Sequence, residues 1–158
     1  MSVRGETRAP PPKADDGQIL LLALGYALLA FALVAVAVDA TAVHLARTQL
    51  LDAADAAALD AADAVDPADV YAGGLGSDVP LTAEGVRGQA RTYLASYDPP
   101  SRLGGIQLLE GTGSPDGATA VVELSGTVRL PIAAPVVASF AGGITVTVRS
   151  TARARLRP

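Results

Sequence analysis

Residues 19–38 read ILLLALGYALLAFALVAVAV, twenty positions without a charge. As a helix this run extends about 30 Å at 1.5 Å per residue, the thickness of a bilayer's hydrocarbon core. A buried helix of a soluble protein would carry a polar stripe, and this run has none. The expectation is a single transmembrane helix over 17–38. A secretory signal peptide is the rival reading, because Ala35-Val36-Ala37 has the small-residue spacing of a cleavage site. Against it, the run exceeds the usual signal core of about 7–15 residues, and the helical pattern continues past it unbroken.

The flanking charges orient the span. Arg4, Arg8 and Lys13 precede it, whereas Arg47 is the one fixed positive charge in the twenty residues after it. The excess of basic residues places the N-terminal side in the cytoplasm, and Asp15 and Asp16 count little in that rule. Residues 1–16, with Pro10-Pro11-Pro12, read as a cytoplasmic tail, and everything after residue 38 as extracytoplasmic.

The helix does not stop at the membrane surface. No proline occurs between Lys13 and Pro67, and Asp15-Asp16 supply acidic helix-start chemistry. Over 39–65 the chain is rich in alanine. At 100° per residue, Leu50, Ala54, Ala57, Ala61 and Val65 recur at spacings of 4-3-4-4 on one narrow face, continued upstream by Val43. Asp52, Asp55, Asp60 and Asp63 gather on the opposite face. Small residues in such a seam permit close approach of another helix or sheet. One helix is expected from about Gln18 to Val65, ended by Pro67.

Residues 66–80 read as a loop on their Gly, Pro and Asp content. A second helix follows, with Thr82 as N-cap, Leu81 and Val86 as a hydrophobic staple, and an apolar face of Val86, Ala90, Tyr93, Leu94 and Tyr97. Pro99-Pro100 stops it. The period then changes to two. Residues 106–110 form a short candidate strand, 113–117 a turn, and the alternation from Ala120 to Leu130 a half-buried strand. A short helix is expected over 131–140, and the clearest strand runs from Ile144 to Leu156. The whole is α+β: one N-terminal transmembrane helix, its long amphipathic extension, and a small domain over 66–158 with about three strands and one or two further helices. The sheet needs a helix on its apolar face, and the membrane-proximal helix is the natural cover.

Composition narrows the chemistry. Half of the residues are apolar but only 4% aromatic, and the net charge is −4, which disfavours nucleic-acid binding through a global positive field. Cysteine is absent, which removes disulfides and thiolate metal sites. Lys13 is the one lysine beside eleven arginines, the usage of a GC-rich bacterial genome. His44, the one histidine, shares its face with no acid and reads as a surface residue. Asp39 ends the apolar run at headgroup depth. Arg149, Arg153 and Arg155 make a basic row on the last strand, suited to guarding a sheet edge or meeting an acidic helix of a neighbouring subunit. No nucleophile–base pair stands out, Gly111-Thr112-Gly113 lacks the Gly-Lys-Ser/Thr of a phosphate loop, and no cofactor or metal is expected.

Taken in order, Gly17-Gln18 before the span, Val38-Asp39 at its end, Leu45-Ala46-Arg47-Thr48-Gln49-Leu50 and Asp52-Ala53-Ala54-Asp55-Ala56-Ala57-Ala58-Leu59 resemble the N-terminal region of the TadE/TadG-like proteins of tight-adherence (Flp-type) pilus assembly. The resemblance implies a membrane-anchored structural component, not an enzyme. Its partners would be the lipid bilayer, other pilus-assembly or pseudopilin-like subunits, and further copies of itself, with Leu50, Ala54, Ala57, Ala61 and Val65 as the packing seam. Prepilin-peptidase substrates of this kind carry glutamate five residues after the processing glycine. Counted from Gly17-Gln18, that position is Leu22, which favours the uncleaved, TadG-like form. The rivals are an anchored binding module for an envelope ligand, which the few aromatic residues disfavour, and a secreted protein released by signal peptidase.

Overall fold

The structure is a computed structural model that describes residues 15–64, 80–133 and 143–154. The chain divides into two compact units, Met1–Ala37 and Val38–Pro158. Helix α1 (Asp15–Asp63) runs without a break for 49 residues, as the absence of proline dictates. In the first unit its apolar window is uncovered along its whole length.

The second unit is α+β. After α1 come α2 (Ala83–Ser96), β1 (Leu103–Leu108), β2 (Thr119–Val128) and β3 (Ile144–Arg153). The strands form one antiparallel sheet in the order β1-β2-β3. Helix α2 starts as its sequence dictates: Thr82 is extended, its hydroxyl accepts the Gly85 N–H at 3.0 Å, and Leu81 and Val86 both join the core. It ends at Ser96, short of Pro99-Pro100.

The sheet departs from the sequence expectation at β1. The strand opens at Leu103, three residues before the expected start, because Leu103 and Gly104 pair with Val128 and Thr127. The register shifts between Gly104 and Gln107, and Gly105 sits at φ 60°, a backbone state that only glycine enters freely. Residues 131–133, expected to open a short helix, form a turn; the rest of that expected helix lies outside the described residues, as do Val65, Arg155, Leu156 and all but the last residue of the 66–80 loop.

One face of the sheet builds the core. Ala120, Val122, Leu124 and Val128 of β2 and Val148 of β3 cluster with Val86 and Ala90 of α2 and with Ala46, Leu50, Ala53, Ala54, Ala57, Ala58, Ala61 and Ala62 of α1. The second half of α1 therefore covers the sheet. Gly126 makes this possible locally, since a Cβ there would stand 2.9 Å from Leu103 Cδ1 and 3.5 Å from Leu50 Cδ2. Alanine on α1 carries little area per residue, so the core relies on many small contacts rather than a few large ones.

Candidate functional site: the faces of the long helix

In the first unit nothing described covers any face. Thirteen large apolar side chains from Ile19 to Val38 are exposed, among them Leu20, Leu21 and Phe31. Each forgoes about 1.5–3 kcal/mol of burial, so together they exceed the ~5–15 kcal/mol net stability of an ordinary domain. An apolar medium or partner has to cover them.

In the second unit the seam residues Leu50, Ala54, Ala57 and Ala61 are at most 2% exposed, and what buries them is this chain's own core. Helical period marks this face and leaves open whether a helix or a sheet packs on it; the family resemblance is what implied partner subunits. The reverse face stays open. Asp52, Asp55, Asp60 and Asp63 are all exposed, and among them stand Leu45 (53% exposed) and Leu59 (60%). His44 is exposed, with its carbonyl accepting the Thr48 hydroxyl at 3.1 Å. Among the described residues no three acidic or histidine side chains are grouped so as to hold a metal ion.

Asp39 lies at the junction of the apolar run and the alanine-rich helix. It is 9% exposed, and its two carboxylate oxygens accept the backbone N–H groups of Ile132 (3.0 Å) and Ala133 (2.9 Å). The turn after β2 is thereby fastened to the start of the second unit by two charge-assisted bonds. An acid closing an apolar run was the visible signal, but its partners stand 93 and 94 residues away.

The opposite end of the domain is held by polar contacts that the sequence did not mark. After β1 the chain loops and rejoins β2 through a Gly113–Val121 bridge. Between them Thr112, buried, accepts the Glu123 N–H (3.0 Å) and donates to the Glu123 carbonyl (3.3 Å), so its side chain stands in for a ladder residue. Arg87 of α2 donates from Nε to the Thr112 carbonyl (2.8 Å) and from Nη2 to the Glu110 carbonyl (3.2 Å). Thr112→Val is expected to cost about 1–3 kcal/mol, since it keeps the shape but strands a backbone N–H. Urea unfolding of the full chain in micelles measures this, and an unchanged midpoint would show the bonds to be dispensable. In the following turn, the Asp116 carboxylate accepts the Ala118 and Thr119 N–H groups and the Thr119 hydroxyl, with Gly117 at φ 71°. The Ala118 bond first, then the Thr119 hydroxyl, hold its pKa below the ordinary 3.8. At Tyr97, which caps α2, burial first, then the stacked Tyr93 and the charges of Asp52 and Asp98, push the hydroxyl above its ordinary 10.0.

The sheet's second face is polar. Thr119, Ser125, Thr127, Thr145, Thr147, Arg149, Thr151 and Arg153 line it, half-buried or exposed. Of the basic row, Arg149 pairs with Glu123 at 3.4 Å, and its side chain is 62% exposed, so the pair contributes about 0–1 kcal/mol. Strand β3 lies at the edge of the sheet, where such cations discourage unwanted strand pairing.

Comparison with known proteins adds one match. Residues 17–64 match the family model described as "Putative Flp pilus-assembly TadE/G-like". The match begins at Gly17 and closes one residue after α1 ends, so it covers the apolar half and the alanine-rich half of that helix and none of the sheet. No curated protein and no solved structure matches the chain. The likeness to the TadE/TadG-like Flp pilus-assembly family is thus confined to this helical segment.

Proposed function

We propose that the chain is a single-pass, membrane-anchored structural component of a Tad-type (Flp) pilus or related secretion apparatus. Its N-terminal side is cytoplasmic, its C-terminal domain extracytoplasmic, and it acts by helix packing with partner subunits rather than by catalysis. The observation that carries this reading is the match over 17–64 to a pilus-assembly family, falling on a helix whose first half is apolar and uncovered. A bilayer covers such a helix without residue-specific contacts.

Leu50, Ala54, Ala57 and Ala61 serve the chain's own core, which leaves to partners the outer face of α1 with Leu45, Leu59 and the aspartates around them. A partner helix or strand with cations opposite these acids fits that face. Deleting the gene in its host is expected to abolish surface pili, and the wild-type chain is expected in the membrane fraction at full-length mass. A chain beginning at Gln18 in sheared filaments would instead identify a processed pilin, and pili unaffected by deletion would remove the assembly role.

A further inference from the structure

We propose that the outer face of α1 docks on the exposed face of β3 in a second copy of this chain, so that the domains stack head to tail. This names the partner for the surface read above, and it rests on that reading. The first observation is charge. Asp52, Asp55 and Asp63 are exposed on the outer face of α1, and Arg149 and Arg153 are exposed on β3. Among the described residues the one ion pair of this set joins Arg149 to Glu123 at 3.4 Å, and a guanidinium with its several donors can hold a second carboxylate. Like faces do not suit each other: α1 on α1 sets aspartates against aspartates, and β3 on β3 sets arginines against arginines. Acid on base is the complementary arrangement.

The second observation is spacing. Asp55, Leu59 and Asp63 stand at i, i+4 and i+8, one stripe of α1, with Leu59 60% exposed between the two acids. Arg149, Thr151 and Arg153 stand at i, i+2 and i+4 on one face of β3, all exposed. Eight residues of helix advance about 12 Å, and four residues of strand about 13 Å. A helix laid along the strand therefore sets Leu59 on the Thr151 methyl while the two carboxylates reach the two guanidinium groups. The match continues upstream. Leu45, also exposed, precedes Leu59 by about 21 Å of helix, and Thr145 precedes Thr151 by about 20 Å of strand. This holds with α1 and β3 pointing the same way; reversed, Leu45 passes the end of the strand at Arg153.

The third observation is where the two faces lie. Leu50, Ala54, Ala57 and Ala61 pack α1 on the apolar side of the sheet, the side of Val148. Arg149, Thr151 and Arg153 alternate with Val148 and so lie on the sheet's other side. The acidic and basic faces are thus on opposite sides of one helix-on-sheet domain. Contact between them is heterologous, because each docked copy leaves one face of each kind open for the next. Such contacts extend into filaments or close into rings, whereas self-complementary ones stop at a dimer.

Because the chain contains no cysteine, a thiol cross-linker joins only the thiols placed in it. Full-length Leu59→Cys and Thr151→Cys chains, differently tagged, are co-expressed in a host lacking the native copy and treated in intact cells with a short, permeant bis-maleimide. A further chain carries both changes. The expected result is a mixed dimer from the pair and a ladder of multimers from the double variant. Adding Asp55→Arg and Asp63→Arg, both at exposed positions, should cut the mixed dimer about tenfold or more. Asp55→Asn with Asp63→Asn repeats the test without added cations and should give a smaller loss. Mixed dimers indifferent to both charge changes would overturn the contact as chance collision. Leu59→Cys joined to itself would overturn it in favour of helix-on-helix pairing, and Leu59→Cys joined to another protein in favour of a different subunit. Fractionation of the same cells tests the anchored reading separately. A chain held in the membrane without mixed dimers loses the contact alone, and mixed dimers from a chain absent from the membrane remove the anchor alone.

Discussion

Changing Ala54, Ala57 and Ala61 together to leucine is expected to unfold the C-terminal domain rather than merely detach it from partners. Each position is at most 2% exposed within the chain's own core. Adding three carbons at a closed site costs about 1–3 kcal/mol in displaced neighbours and poor rotamers. Three such sites sum to roughly 3–9 kcal/mol, comparable with the ~5–15 kcal/mol that holds a domain folded. The positions are one helical turn apart and share neighbours, so their costs couple rather than add. Thermal unfolding of the full chain in micelles, followed by near-ultraviolet circular dichroism, reads the loss. The contrasting changes are Leu45→Ala and Leu59→Ala on the outer face, which should move stability by no more than about 0.5 kcal/mol and should reduce pilus assembly if that face meets a partner. A triple-leucine variant that melts like the wild type yet fails to assemble would return the alanine face to an intersubunit role.

The second large effect is expected at Asp39. Asp39→Ala removes both acceptors at once and leaves the Ile132 and Ala133 N–H groups without their partner. Losing charge-assisted bonds at a buried site costs about 2–4 kcal/mol. Asp39→Asn retains one uncharged acceptor and should fall between. Hydrogen exchange at the amides of residues 132 and 133 localises the effect, because both should exchange much faster in the alanine variant while the β2–β3 ladder stays protected. Unchanged protection at these two amides would show that the carboxylate does not hold the turn.

Much of this architecture is local, and local features are legible in a sequence. The length and apolarity of residues 19–38, the absence of proline up to Pro67, the Thr82 cap and the alternation in β2 and β3 each depend on residues within a turn or two of one another. So did the identification of Leu50, Ala54, Ala57 and Ala61 as a packing face, because helical period alone places them in a row. The TadE/TadG-like resemblance was likewise carried by an ordered run of short segments on one helix, the same stretch that the family model matches.

What covers that face the helical period leaves open, and only the sheet's need for a helix on its apolar side pointed to this chain's own sheet. A row of alanines accepts a neighbouring subunit's helix and this chain's own sheet equally well, and the period is the same in both cases. The choice depended on how β2, more than fifty residues further along, turns its apolar side, and on Gly126 leaving room for Leu50. Thr112 had no signal at all, because a hydroxyl replacing a ladder residue depends on where a loop returns to the sheet. Asp39 shows the division most sharply. Its sequence position made it the boundary of the apolar run, a matter of hydrophobicity along one helix. Only the tertiary structure decided that its carboxylate is buried and bonded to Ile132 and Ala133, because hydrogen-bond partners are chosen by proximity in space, and the fold brings these residues together from 93 and 94 positions apart.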